Sequence, residues 1–165
     1  MDWKNAKMCA DISNAIYKDD KECAESLAHF IHTKKSFKFL DIKGAQGCLF
    51  RQNANTVVIA FRGTEPTQLN DVLADLKAWK ETSETTGRVH SGFKTEIDKL
   101  WPTIIKWLAS SVKKKDTVIV TGHSLGAAMA TLAASRAYDM GYKTNLYNFG
   151  SPRVGNYDWS KQFDE

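Results

Sequence analysis

The sequence predicts an α/β fold, a mostly parallel sheet with helices on both faces, formed by one domain that spans residues 1–165. Short β-branched and aromatic runs alternate with longer amphipathic stretches, which is typical of parallel strands joined by right-handed crossovers. A hydrophobic fraction of 42% is enough for one sizeable core. The sequence also lacks internal repeats and low-complexity linkers. We therefore expect a single layered domain.

The elements of this fold follow in order along the chain. Apolar residues spaced three and four apart predict two amphipathic helices, over about residues 6–16 and 23–31. The runs SFKFLDI, GCLFRQ and NTVVIAF predict three strands joined by tight turns. A helix is then predicted over about residues 91–113, followed by the strand TVIVTG, and another over about residues 124–140, followed by the strand TNLYNFG.

A serine lies between two glycines where the strand TVIVTG ends. The residues Gly122 to Gly126, GHSLG, fit G-x-S-x-G, whose glycines make room for a strained strand-to-helix turn that lifts a serine oxygen above the sheet edge. The small residues that follow allow the next helix to pack closely on strands. We interpret Ser124 as a candidate nucleophile for acyl transfer. The alternative is a serine that only caps the helix.

A second stretch falls at the same edge of the predicted sheet. Phe61-Arg62-Gly63-Thr64 closes the strand NTVVIAF, and open α/β sheets bind ligands at the carboxyl ends of their parallel strands. The amide and hydroxyl of Thr64, together with the amide of Leu125, are candidate donors to an oxyanion. A plain turn with a surface threonine is the alternative.

Charge and cysteine content exclude other classes. The net charge of +4 is spread along the chain apart from three lysines at 113–115, which argues against a nucleic-acid partner. Neither a signal peptide nor a membrane span is indicated, so we expect a cytoplasmic protein. Cys9, Cys23 and Cys48 are an odd number without metal-ligand spacing and predict buried, reduced thiols.

Four motifs occur in one order: VIAFRGT, VHSGF, TVIVTGHSLGAAMATLAA and YNFGSPRVGN. Through them, over about residues 6–156, the chain resembles the class 3 lipase family of α/β-hydrolases. The resemblance implies an α/β-hydrolase fold with Ser124 as nucleophile, Thr64 and Leu125 as the oxyanion hole, and no metal or organic cofactor. It also implies that His90 and His123 have structural roles.

The resemblance further implies a lid over residues 65–76. Its apolar residues form one stripe, which would lie either on the active site or in a lipid interface: Leu69, Val72, Leu73 and Leu76. A plain helix that covers the core is the alternative.

The chain departs from the family in its last part. The triad acid and histidine of the family follow the GSPRVGN segment, in the order Ser, Asp, His, and neither has a matching position here. Asp158 and Asp164 come too early, and the histidines at 29, 32, 90 and 123 precede that place, with His29 and His32 fitting the face of an N-terminal helix. We expect an incomplete domain without its C-terminal strands, whose Asp and His come from a longer chain or a complementing chain or segment.

The expected function is that of a serine-dependent carboxylic ester hydrolase. It would be a lipase that acts on acylglycerols or phospholipids, at a lipid interface, through an acyl-enzyme on Ser124. One alternative is a catalytically inactive lipase-like binding module, because the acid and base are missing. The other is a small-ester, feruloyl-type esterase.

Overall fold

The computed structural model describes residues 2–64, 80–85 and 87–163. Two helices come first, α1 (Trp3–Ala15) and α2 (Asp20–Leu27), followed by strands β1 (Lys38–Ile42), β2 (Ala45–Asn53) and β3 (Thr56–Phe61). The short strands β4 (Lys80–Thr82) and β5 (Arg88–His90) precede the long helix α3 (Ser91–Ser111). The chain continues with β6 (Thr117–His123), α4 (Leu125–Asp139), β7 (Lys143–Phe149) and α5 (Tyr157–Ser160).

Five of the strands form one mixed sheet in the order β1-β2-β3-β6-β7. The first three pair antiparallel through tight turns, whereas β3, β6 and β7 pair parallel. Phe61 at the end of β3 lies opposite Gly122 near the end of β6. The segment that follows β3 and the G-x-S-x-G motif therefore leave the sheet at the same edge, as predicted.

Alternate side chains of β3 and β6 point into two separate cores. Val57, Ile59 and Phe61 pack with α3 and α4 on one face, and Val58 and Ala60 pack with α1 and α2 on the other. This alternation is the period of a strand buried on both sides. It confirms the predicted sheet covered by helices on both faces.

The second N-terminal helix is shorter than predicted. It ends at Leu27, and the amide of Phe30 in the following turn donates to the carbonyl of Leu27 (2.8 Å). The prediction that His29 and His32 lie on a helix face is therefore wrong, since both are exposed residues that follow the helix. Phe30 and Ile31 still pack on the core, so their apolar spacing reflects burial in a turn.

The strands β4 and β5 form a second, two-stranded sheet that the sequence did not predict. Val89 of β5 also bridges to Gly155, and the amide of His90 donates to the carbonyl of Val154 (2.9 Å). A side chain at Gly155 would collide with Trp159, since its Cβ would lie 2.6 Å from the ring. The backbone contacts of Val89 and His90 therefore hold the VHSGF segment against the PRVGN segment.

The three cysteines are free and buried, as predicted. Burial, which outweighs a hydrogen bond with Thr121, raises the pKa of the Cys9 thiol to about 12. Within the described ranges, no helix is both long and apolar enough to cross a membrane. The predicted lid residues Leu69, Val72, Leu73 and Leu76, and Asp164, lie outside the described residues.

Candidate active site

Ser124 occupies a strained turn between β6 and α4. Its φ of 56° and ψ of −122° put an L-residue in a backbone region that costs about 1–3 kcal/mol. The residue holds the N-cap position of α4, yet its side chain makes no capping hydrogen bond. Since the hydroxyl does not cap the helix, the N-cap alternative does not account for this serine.

The two glycines of the motif are required by close packing. A Cβ on Gly122 would lie 2.3 Å from the carbonyl oxygen of Gly126, and a Cβ on Gly126 would lie 2.3 Å from that of Phe61. Both neighbours are backbone atoms and have little freedom to give way. The turn is further fixed by the Ser124 amide, which donates to the carbonyl of Phe149 on β7 (3.0 Å).

The structure brings the two predicted oxyanion residues to one cavity. Thr64 follows β3, Leu125 begins α4, and both are half-buried and line a space of about 340 Å³ together with Gly63 and Met129. The amide of Leu125 is in the first turn of α4, where backbone N–H groups have no acceptor within the helix. The positive end of the helix dipole therefore lies beside this cavity.

The loop that carries Thr64 is held to its neighbours by Arg62. The amide of Arg62 donates to the carbonyl of Gln46 on β2 (3.0 Å), and its Nη1 donates to Gln46 Oε1 (2.8 Å). Its guanidinium also lies 5.7 Å from the ring centroid of Tyr17. These contacts fix the start of the loop at the sheet edge.

His123 and His90 each make a hydrogen bond to a residue other than Ser124. A hydrogen bond of 3.0 Å joins His123 Nδ1 to the hydroxyl of Tyr17, just after α1. His90 caps α3 by accepting from the amide of Gly92 at Nδ1 (3.1 Å), and its ring stacks on Phe93 with centroids 4.4 Å apart. Both observations fit the structural roles that the resemblance implied. Sequence reasoning did not single out Tyr17, because no motif marks it.

A group of ion pairs lies where β4 and β5 meet α3 and α4. Arg136, which is only 6% exposed, donates through Nη2 to Glu84 (2.9 Å) and Asp98 (2.6 Å). Lys94 pairs with the same two carboxylates, at 2.7 Å from each. Partial burial raises the pKa of Glu84 and Asp98, but the hydrogen bonds from Lys94 and Arg136 outweigh it, so both pKa values lie below their ordinary range.

Asp158, which the sequence analysis set aside as too early for the triad acid, is exposed on α5. It accepts a hydrogen bond from Asn156 Nδ2 (3.3 Å). Asn156 in turn caps α5 through its Oδ1, which accepts from the amide of Trp159 (3.1 Å). This local arrangement gives Asp158 a place in a helix cap.

A family model described as lipase (class 3) matches residues 58–165. Lipase ZK262.3 of Caenorhabditis elegans is 34% identical over 115 residues, which cover 66% of this chain and 32% of that protein. Secreted mono- and diacylglycerol lipase A of Penicillium cyclopium is 31% identical over 173 residues, which cover 93% of this chain and 52% of that protein. The chain thus spans at most about half the length of these relatives.

Solved structures show the same architecture. A mutant form of MDLA from Penicillium cyclopium superposes with a TM-score of 0.76 at 25% identity, over 96% of this chain and 66% of that one. The triacylglyceride lipase of Rhizomucor miehei gives a TM-score of 0.73 at 19% identity, over 98% of this chain and 67% of that one. The α/β-hydrolase fold implied by the motifs is confirmed. The name of the Penicillium relative includes the word secreted, so the expected cytoplasmic location stays a prediction.

Proposed function

The chain belongs to the class 3 lipase family, and from this premise we propose that it forms the nucleophile-bearing part of a serine-dependent carboxylic ester hydrolase. The observation that carries the proposal is Ser124. Its backbone is strained, and its hydroxyl makes no capping hydrogen bond. It also lies between Gly122 and Gly126, where any side chain would collide with neighbouring backbone atoms. Strain of this kind persists where the surrounding structure holds a functional residue in place.

The reaction is an acyl transfer in two stages. The Ser124 oxygen attacks the ester carbonyl while a base takes its proton, and the amides at Thr64 and Leu125 stabilise the oxyanion that forms. Collapse of this intermediate breaks the ester bond, and the alcohol leaves with the proton from the base. Water then attacks the acyl-enzyme by the same route and releases the carboxylic acid.

We assign acylglycerols or phospholipids as the substrate class. Support comes from relatives described as a secreted mono- and diacylglycerol lipase, and from a phospholipase A1-II 1 of rice that is 46% identical over 65 residues. Rates on esters from acetate to palmitate separate a lipase, which prefers long chains, from a small-ester esterase, which prefers the short ones.

The base and the acid of the reaction come from outside the described residues in this proposal. The chain has four histidines, and all precede Ser124. His29 and His32 are exposed beyond α2, while His90 and His123 have the contacts given above. A further segment or a complementing chain then supplies the Asp and His. A serine without its base retains little turnover, since loss of the histidine in a serine protease costs about 10⁶-fold.

The second candidate is a lipase-like binding module without turnover. Replacement of Ser124 distinguishes the two. In the complete enzyme that carries these residues, Ser124→Ala is expected to abolish hydrolysis of p-nitrophenyl butyrate, whereas Ser110→Ala on the exposed surface of α3 retains it. Turnover retained by Ser124→Ala contradicts the proposed nucleophile. An inactive wild-type protein favours the binding module.

A further inference from the structure

Tyr17 contacts both segments that form the proposed catalytic edge. Its hydroxyl is hydrogen-bonded to Nδ1 of His123 (3.0 Å), the residue directly before Ser124. The same oxygen lies against Gly63, the residue directly before Thr64, because a Cβ on Gly63 would come within 2.3 Å of it. One phenol group therefore touches the chain neighbours of both the nucleophile and the predicted oxyanion donor.

Gly63 is closely packed. A Cβ on Gly63 would also lie 2.5 Å from the carbonyl oxygen of His123, so Gly63 is in close contact with both Tyr17 and the residue before Ser124. The guanidinium of Arg62 lies 5.7 Å from the Tyr17 ring centroid, which adds a cation–π attraction to the same ring. Tyr17 thus contacts both the segment after β3 and the last residue of β6, from the face of the sheet that α1 covers.

The position of the loop matters for the reaction. Oxyanion donors act when they lie about 2.7–3.1 Å from the oxygen that becomes charged. A shift of about 1 Å in a catalytic group can cost about 100-fold in rate. A contact that fixes the spacing between residues 62–64 and Ser124 therefore bears on turnover more than on overall stability.

We propose that Tyr17 is a positioning residue that holds the loop of Arg62, Gly63 and Thr64 in register with the turn at Ser124. This proposal rests on the proposed function for its kinetic consequence, but the structural part is independent of turnover. Tyr17 acts through Gly63 and His123 and has no assigned contact with substrate.

Hydrogen exchange tests the structural part in the protein as it is. Tyr17→Phe removes only the hydroxyl, and with it both the hydrogen bond to His123 and the contact with Gly63. Amide exchange in peptides covering residues 57–64 is expected to rise about fivefold, an effect of the size that one hydrogen bond contributes. Exchange across α1 (Trp3–Ala15) is expected to stay unchanged. Ser13→Ala is the matched control, because it removes a hydrogen bond from α1 to β6, between the hydroxyls of Ser13 and Thr121 (3.0 Å), and that bond does not involve the loop.

The outcomes separate the explanations. Unchanged exchange at residues 57–64 in Tyr17→Phe overturns the proposal, and so does an equal rise throughout α1, since the hydroxyl then only docks the helix. In the active enzyme, kcat for p-nitrophenyl butyrate is expected to fall about tenfold with KM within about twofold of the wild type. An unchanged kcat despite faster loop exchange also overturns it. Failure of the proposed function shows separately, as turnover that survives Ser124→Ala.

Discussion

At the residue scale, the strained backbone of Ser124 makes a measurable difference to stability. In ordinary positions, replacing glycine by alanine stabilises a protein by about 0.4–1 kcal/mol because the unfolded chain has fewer conformations. At φ 56°, ψ −122° a Cβ is itself the source of strain, worth about 1–3 kcal/mol. The usual order of glycine and alanine is therefore expected to reverse at position 124.

We expect Ser124→Gly to unfold at a higher temperature than Ser124→Ala, by about 2–4 °C for a net gain near 1 kcal/mol. Thermal unfolding followed by circular dichroism measures the difference. Ser110 on α3 provides the matched pair, and there the alanine variant should be the more stable one by about 1 kcal/mol. Equal or greater stability of Ser124→Ala would show that the turn is not strained.

The sequence identified some residues of the candidate site and missed others. Ser124, Thr64 and Leu125 were identifiable because fixed spacing around glycines and the ends of parallel strands place them at one edge. Tyr17 was not, because its partner His123 is 106 positions away in the chain and no local pattern records that contact. A side chain that supports a site from an element distant in sequence produces no local pattern of residue spacing by which it could be identified.

At the element scale, β4 and β5 are held in place by contacts with distant parts of the chain. Each strand has three residues, too few to show a period, and β5 pairs with β4 on one side and has further backbone partners in Val154, Gly155 and Asn156. The predicted second helix was too long for a related reason, since the partly buried Phe30 extends the apolar spacing beyond Leu27, where α2 ends. Both the formation of the β4–β5 sheet and the end of α2 therefore depend on tertiary contacts, which the local sequence does not encode.

The ion pairs of Arg136 link the turn after β4 to α3 and α4. Glu84 and Asp98 have pKa values below their ordinary range, so the folded state binds their protons less tightly than the unfolded chain does. Stability from these carboxylates is therefore fully present above about pH 4–5, the unfolded values, and is lost as the pH falls through the folded values.

We expect Arg136→Met to lower the free energy of unfolding by about 1–3 kcal/mol at pH 7, since it leaves two half-exposed carboxylates with Lys94 alone. The difference in unfolding free energy from the wild type should shrink as the pH falls through the lowered folded pKa values of Glu84 and Asp98, where both carboxyl groups become protonated. Urea unfolding at pH 7, 5 and 3 measures it. Lys7→Met, which removes an exposed pair with Asp11, should change little at any pH. A pH-independent gap would mean that Arg136 stabilises only by packing.

At the scale of the whole molecule, the layered fold brings the ends of β3 and β6, which precede the proposed site residues, to one edge of the mixed sheet. Alternation between strands and helices predicted that architecture well, because burial on both faces imposes both periods on the sequence. Within the described ranges, β7 pairs only with β6, and Leu146, Tyr147 and Phe149 on it are half-buried. The curated relatives compared above are about two to three times the length of the segment they share with this chain.

The most direct measurement is the reaction of the complete enzyme with a p-nitrophenyl alkylphosphonate, read by mass spectrometry of its peptides. The phosphonate mimics the charged intermediate and bonds covalently to an activated serine. We expect a single adduct on Ser124, none in Ser124→Ala, and slower labelling in Tyr17→Phe. An adduct on another residue, or an active enzyme that hydrolyses esters with Ser124 unlabelled, would contradict the assignment of the nucleophile.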